Sequence, residues 1–417
     1  MRTELFISRR LSLRAEGARR MAVGVTVAVT GIALAIIIMM VSIAVVIGFK
    51  QEIRSKVSGF NSQIMVYPAE AYSIDRDNPG IRLSDTLRTL IATTFPEANV
   101  ALTMRRPAIF KTDSAFQGII LKGLGESTGR QFIARQIVAG NFPSDNPDSI
   151  NSVAISQSTA SQLGINIGDK LLTHFLQNNN LRTRALTVTG IFNTHFSDFD
   201  NMYAFAPLPM LQRLAHVDSI TGSAVELSGF DDAEIDIATT MLHDALIRQL
   251  TEHPENTPIY AIDNVHHTGA MYFTWLSLLD TNVVVILALM AVVSGFTLIS
   301  CMFILILERV RMIGLLKAMG ATNRFIGHIF IYMAQRIVLR GLIIGNAVGL
   351  MLLAVQKHLH IVPLDAEAYY LDYVPVEIEW WWILLLNICT VIISWVILIL
   401  PARAIARLSP AESMRYE

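Results

Sequence analysis

The apolar residues of this chain follow two different patterns. Residues 21–47 carry no charged side chain, and residues 281–307, 341–356 and 380–402 form three further blocks dominated by apolar residues. A helix of roughly 20 such residues crosses the hydrocarbon of a bilayer. Residues 50–270 instead interleave polar and apolar positions, as a water-facing domain does. The pattern predicts a multi-pass α-helical membrane protein with four transmembrane helices and a large α+β domain inserted between helices 1 and 2. Arg19 and Arg20 precede the first block as they would a secretory signal, but the block exceeds a signal's apolar core and no small-residue cleavage pattern closes it. A retained anchor is expected.

Charge placement orients the spans. Arg2, Arg9, Arg10, Arg14, Arg19 and Arg20 precede the first, Arg309, Arg311, Lys317 and Arg324 lie between the second and third, and Arg403, Arg407 and Arg415 follow the fourth. The segment between the third and fourth sets Lys357 against Asp365, Glu367, Asp372, Glu377 and Glu379. Basic flanks stay cytoplasmic, so both termini are expected inside and the inserted domain outside. The expected order is a cytoplasmic N-terminal segment (1–20), helix 1 (21–49), the outer domain (50–270), helix 2 (271–307) and a cytoplasmic helical loop (308–324). Helix 3 (325–356), a short outer loop (357–379), helix 4 (380–402) and a cytoplasmic tail (403–417) complete it. Trp380, Trp381 and Trp382 form an interfacial aromatic cluster at the start of helix 4. Gly341, Gly345 and Gly349, four apart, offer one face of helix 3 for close helix contact.

Inside the outer domain, alternation predicts strands over residues 63–67, 116–122, 153–156, 170–175, 185–191 and 224–227, and helices over 84–92, 157–164 and 232–250. Two lobes are expected, joined through residues 123–152. A hydrophobic content of 53% and a net charge of -1 disfavour nucleic acid as a partner. Cys301 and Cys389, both in apolar blocks, read as packing residues. Gly123, Gly125 and Gly129 lack the Lys-Ser/Thr pair of a phosphate loop, and neither His266–His267 nor His358–His360 has zinc-site spacing. Asp198 and Asp200 read as a loop or an interface, and Ser156 and Ser158 have no nucleophile's setting. No catalytic residue and no metal site is expected.

The most informative local run is residues 308–322. Val310, Ile313, Leu316 and Met319 line one side of a short helix, Arg311 and Lys317 lie away from it, and Gly320 offers a stop. This run, with its Glu308-Arg309 start and its Ile-Gly-Leu-Leu-Lys-Ala-Met-Gly-Ala-Thr sequence from Ile313 to Thr322, resembles the coupling segment of ABC transporter permease subunits of the FtsX/MacB superfamily. The ending from Pro401-Ala402-Arg403-Ala404 to Leu408-Ser409-Pro410-Ala411-Glu412 and Tyr416-Glu417 fits the same family. So do the helix and turn from Ser156 to Gly164 and Gly168-Asp169, and Val188-Thr189-Gly190-Ile191-Phe192 followed by Asp198 and Asp200. The outer loop from Ile361 to Leu364 and Tyr369 to Val376 is similar to that of the lipoprotein-releasing permeases. Arg336 and Arg340 depart from the less charged helix entry expected there.

The resemblance implies a MacB-like periplasmic domain and a bacterial inner-membrane permease that is not itself an enzyme. No cofactor is expected in this chain; ATP and magnesium would be bound by two cytoplasmic ABC ATPase subunits. A second permease subunit, the same or homologous, would complete the membrane part, with lipoprotein cargo and a periplasmic carrier as further partners. ATP-driven motion would travel through the spans, a mechanotransmission scheme in which outer-membrane-destined lipoproteins leave the outer leaflet. The ATPase contact would use Glu308, Arg309, Ile313, Gly314, Leu315, Leu316, Lys317 and Gly320. Acyl chains would meet Val41, Val45, Phe49, Trp275, Leu278 and Leu279 between the first two spans. Two other functions fit the superfamily: a MacB-like export permease for drugs or peptides, and an FtsX-like regulator of periplasmic cell-wall hydrolases.

Overall fold

The four apolar blocks form four helices long and apolar enough to cross a membrane: Gly24–Asn61, Ala270–Leu307, Asn323–Leu359 and Trp380–Ala402. The structure, a computed structural model, describes residues 18–69, 80–113, 115–146, 149–177, 180–252, 254 and 258–404. The expected N-terminal segment up to residue 17 and the tail from residue 405 lie outside these. Two compact units divide the chain. One is helical, comprising the chain up to Lys50, Leu276–Pro363 and the chain from Tyr373; the other comprises Gln51–Trp275 together with Leu364–Asp372.

In the helical unit, the first helix runs unbroken from Ala18 to Asn61, continuing beyond the span's end at residue 49 into the residues of the second unit, as a continuous helix past Lys50 would. Its apolar residues Ile32, Ala33, Ile36 and Met40 pack on the third helix at the three glycines. A Cβ at Gly341 would stand 2.8 Å from Ile32, one at Gly345 2.9 Å from the Ala33 carbonyl, and one at Gly349 3.1 Å from the Met40 sulfur. Without a hydrophobic driving force in lipid, such close backbone approach supplies the van der Waals contact that holds helices together. Polar pairs join the third and fourth helices. Gln335 donates to Ser394 at 3.0 Å, and the Asn346 and Asn387 amides exchange bonds of 2.7 and 3.1 Å. Each pair satisfies groups that hydrocarbon would leave unsolvated. Cys301 and Cys389 are both free thiols; Cys301 is buried in packing as expected, but Cys389 lies on the exposed face of its helix.

The second unit is built on a mixed sheet. Its strands are β1 (Ile64–Pro68), β3 (Asn99–Lys111), β4 (Phe116–Leu124), β5 (Ile137–Gly140), β6 (Ser152–Ser156), β7 (Lys170–Gln177), β8 (Asn180–Phe192), β9 (Tyr203–Pro207), β11 (Ala224–Ser228) and β12 (Tyr260–Asn264), with β2 (Ile81–Arg82) and β10 (Thr221–Gly222) paired separately. The order is β12-β1-β11-β3-β4-β9-β6-β8-β5, and β7 bonds to both β3 and β8. The bonds β3–β4, β4–β9, β9–β6, β6–β8, β8–β7 and β7–β3 therefore close a ring. At its far end β1 lies antiparallel to β12, with Ile64 opposite Asn264.

The closure bears on the join expected between two lobes at residues 123–152. Strand β3 precedes residues 123–152 and β7 follows them, yet they pair directly over residues 108–111 and 172–175. The short helix Gln157–Leu163 agrees with its signals. Ser156 caps it by accepting from Thr159 N–H at 3.1 Å, and Gly164 ends it at φ 65°. Within the short loop expected over 357–379, Leu364–Asp372 packs with this unit.

An ion cluster sits inside the sheet. Lys122 Nζ is 2.8 Å from Glu226 and Arg105 is 3.4 Å from the same carboxylate, while Thr103 donates to it at 3.1 Å. Lys122 and Glu226 are 1% and 3% exposed, so burial lowers the Lys122 pKa to about 8 despite its partner.

Candidate coupling and cargo surfaces

The turn between the second and third helices is fixed by its end groups. The second helix closes at Leu307, Glu308 N–H still donates to the Ile304 carbonyl, and a short helix Val310–Ala318 follows. At its end Gly320 N–H donates to Lys317 and Ala321 N–H to Leu316, with Gly320 at φ 88°. These two bonds and the left-handed glycine make a Schellman end, which satisfies carbonyls that the helix itself cannot. Thr322 then caps the third helix by accepting from Phe325 N–H at 3.3 Å. Ala321 alone separates one helix stop from the next helix start.

The short helix divides its residues between the unit's own core and the surface. Ile313 is 0% exposed and Gly314 is buried, while Met312 and Leu316 pack partly buried against the same core. Leu315 and Met319 are 60% and 67% exposed, and Glu308, Arg311 and Gly320 lie open beside them. Arg309 and Lys317 are half-buried. Periodicity pairs Leu316 and Met319 on one face, whereas the structure turns Leu316 inward and Met319 outward. The residues expected to meet a partner are thus only partly accessible, since Ile313 and Leu316 hold the helix to its own unit.

The expected cargo residues also separate. Val41 and Val45 are half-buried against the helical core and Phe49 is buried. Leu278 is 58% exposed and Leu279 half-buried on the second helix. A narrow apolar groove lies elsewhere, between Met40, Ile43 and Ile47 of the first helix and Trp382, Ile383 and Leu386 of the fourth. Lys50 and Asp280 form a salt bridge of 2.7 Å between the first and second helices. Trp275 belongs to the α/β unit, edge-on to Tyr370 at 6.3 Å.

Trp275 leads to a cluster absent from the expected site. The loop between β8 and β9 carries Thr194, His195, Phe196 and Asp198. Asp198 accepts from the Tyr272 hydroxyl at 2.8 Å and from the Tyr370 hydroxyl at 3.1 Å. Lys56, buried, donates to the carbonyls of Thr194 at 2.6 Å and Tyr370 at 2.8 Å. Asp200 is buried and accepts from the Thr194 hydroxyl at 2.6 Å and main chain at 3.1 Å, and burial raises its pKa above the ordinary carboxylate value. His195 Nε2 stands 2.9 Å from Asp372. An open cleft beside the loop is lined by Gln157, Ser158, Ser161, Asn193, His195 and Ser197. Asp198 thus joins the helix that carries Tyr272 to the segment that carries Tyr370, while Asp200 holds the turn at Thr194. The signal available in sequence was the dense alternation of aromatic and acidic residues from Phe196 to Asp200. Among the described residues no group of His, Cys, Asp and Glu has the geometry to hold a metal ion. His266 instead sits 3.2 Å from Asp232 and 3.1 Å from Asp236.

Two family models match this chain. The MacB-like periplasmic core domain matches residues 25–238, and the FtsX-like permease C-terminal region matches residues 284–410. The chain is 22% identical to the lipoprotein-releasing system transmembrane protein LolC of Xylella fastidiosa strain Temecula1, covering 93% of each chain. It is likewise 22% identical to LolC of Neisseria meningitidis serogroup B, over 94% of each. With the lipoprotein-releasing system transmembrane protein LolE of Haemophilus influenzae the identity is 21%, over 99% of each. Among solved structures, the periplasmic region of MacB from Actinobacillus actinomycetemcomitans is 13% identical with a TM-score of 0.34, covering 52% of this chain and 95% of that one.

Proposed function

This chain belongs to the MacB-like periplasmic core domain family, with an FtsX-like permease C-terminal region, and on that premise we propose that it is the permease subunit of an ATP-driven lipoprotein-releasing transporter. The observation that carries the reading is the extent of the likeness. Relatives named as lipoprotein-releasing transmembrane proteins align over 93% to 99% of this chain and of themselves, helices and α/β unit together. In this reading the protein spans the bacterial inner membrane with both termini in the cytoplasm and the α/β unit in the periplasm. It draws outer-membrane-destined lipoproteins from the outer leaflet and passes them to a periplasmic carrier.

Energetics require a partner. Each acyl CH₂ leaving the bilayer costs about 0.8 kcal/mol, and that work is assigned to ATP and magnesium in two cytoplasmic ATPase subunits. These would dock on the short helix Val310–Ala318 through Leu315 and Met319, with Glu308, Arg309 and Lys317 at the rim. Ile313, Gly314 and Leu316 would brace the helix from within, and Gly320 would set the return. Closure of the ATPases would move the cytoplasmic ends of the spans, and the unbroken helices Ala18–Asn61 and Ala270–Leu307 would carry that motion outward. A second permease subunit, the same or homologous, would face this one across the cargo entrance. Val41, Val45, Phe49, Trp275, Leu278 and Leu279 are the proposed acyl contacts.

The test is to purify the complex with its ATPase and identify what comes with it. Triacylated lipoprotein, released to a carrier from proteoliposomes only with ATP, is expected. Its consistent absence from an active complex rejects the reading. Photo-crosslinkers at Val45 and Leu279 should capture the same lipoprotein, and failure at both positions removes the proposed entrance.

A further inference from the structure

The segment Leu364–Asp372 packs with the α/β unit although residues of the helical unit flank it on both sides in sequence. It closes on itself through Leu364 N–H donating to the Asp372 carbonyl at 2.8 Å. Three polar contacts then hold it from outside. The Tyr370 hydroxyl donates to Asp198, Lys56 donates to the Tyr370 carbonyl, and Asp372 meets His195. The Tyr370 ring is wedged edge-on against Phe196 at 4.5 Å and Tyr272 at 6.2 Å.

Three chain segments meet on this loop. Lys56 stands on the helix that began as the first span, Tyr272 on the helix that becomes the second, and Tyr370 in the link between the third and fourth. One oxygen of Asp198 accepts from both tyrosines, and bonds to a carboxylate are roughly twice as strong as neutral ones. Lys56 has its other bond on Thr194 of the same loop, so losing Tyr370 would strand part of a buried ammonium. Two residues at the contact, His195 and Tyr370, are held in the left-handed region at φ 56° and 61°. Non-glycine residues stay there only where their surroundings over-determine them.

We infer that Asp198 is the closing residue of a latch that binds Leu364–Asp372 to the α/β unit through Tyr370. The latch delivers displacement of the third and fourth spans to that unit, alongside the displacement carried by the first and second helices. Asp198 is thus a positioning residue, acting through Tyr370 and Tyr272 and not on cargo. The role in lipoprotein release rests on the function proposed above; the latch itself rests on the geometry.

The experiment uses the full complex with its ATPase in proteoliposomes and compares wild type with Tyr370→Phe and Asp198→Ala. Tyr370→Phe keeps the ring and removes only the hydroxyl, so it serves if Asp198→Ala disturbs folding. Amide hydrogen exchange over 364–372 is expected to quicken about tenfold in the variants. Lipoprotein released per ATP hydrolysed is expected to fall about threefold or more, with complex yield and ATP turnover unchanged. A plain structural anchor would speed exchange but leave release per ATP at the wild-type value, and that result overturns the inference. Unchanged exchange in Tyr370→Phe overturns it as well. If wild type releases no lipoprotein, the cargo reading has failed and exchange alone decides. A nucleotide-dependent change over 364–372 that the variants lose supports the latch, and one they keep refutes it.

Discussion

Lys122 Nζ donates to the main-chain carbonyl of Phe60 at 2.6 Å, so the cation buried in the sheet also closes the C-terminal end of the helix Ala18–Asn61. A positive charge there opposes the negative end of the helix dipole. The same ammonium neutralises Glu226, which makes one side chain responsible for two buried groups.

Replacing it should be severe. Lys122→Met leaves Glu226 with Arg105 and Thr103 alone, and removing one partner of a buried ion pair costs about 3–5 kcal/mol. The double change Lys122→Met with Glu226→Leu should recover most of that loss, because an apolar pair needs no solvation. Denaturant unfolding of the full chain in detergent, followed by fluorescence, checks both values.

A pH dependence accompanies this pair. With Lys122 lowered to about 8 from 10.5, the folded state holds fewer protons than the unfolded state between those values. This group therefore adds stability as pH rises through that window and adds none below it. The difference in unfolding free energy between wild type and the double variant should grow in favour of wild type from pH 8 to 10. A flat difference would show that the lysine is not depressed.

Helix contact in the membrane supplies a second contrast. Gly345→Leu places carbon where the Ala33 carbonyl and Ile36 already stand at 2.9 Å, and overpacking of this kind costs about 1–3 kcal/mol. Gly327→Ala meets only ordinary contact, its Cβ lying 3.7 Å from Ala402. The first should lower the melting temperature of the detergent-solubilised chain and the second should leave it within error.

On the short helix, Leu315→Glu should abolish co-purification of the ATPase while the chain inserts and melts as wild type does, because Leu315 is exposed. Ile313→Glu should also lower the melting temperature, since it puts a charge into the helical core. Normal ATPase binding by Leu315→Glu would move the docking surface elsewhere.

Topology has a direct check. Single cysteines in place of Asp113 and Thr322, in a background lacking Cys301 and Cys389, are exposed to an impermeant thiol reagent in intact spheroplasts. Labelling at 113 and not at 322 is expected from the basic flanks. The reverse pattern would invert the chain.

What sequence could reveal here followed the range of the forces involved. The spans were legible because hydrocarbon acts on every residue of a helix, and the stop at Gly320 because helix ends obey rules a few residues long. Strand β3 was hidden by Arg105, Arg106 and Pro107 in its middle, which break the alternation; Arg105 is accommodated there by Glu226, over a hundred positions away in the chain. Lys122 ended a predicted strand like any surface lysine, and nothing local marks it as buried. Within the loop 357–379 nothing local marked Tyr370 as packed, because the aromatic pocket that receives it is assembled from residues around 196 and 272.

The pairing of β1 with β12 constrains how the protein can be made. Ile64 waits for Asn264, whose position is only a few residues before the helix Ala270–Leu307 begins. At a translation rate of about 5–20 residues per second, the first strand leaves the ribosome roughly 10–40 s ahead of its partner. Over that interval β1 has neither of its neighbours, since β11 is also synthesised late. The edge of the sheet is therefore completed as the second span is being handed to the membrane, and biogenesis of the two units is tied to one moment of synthesis.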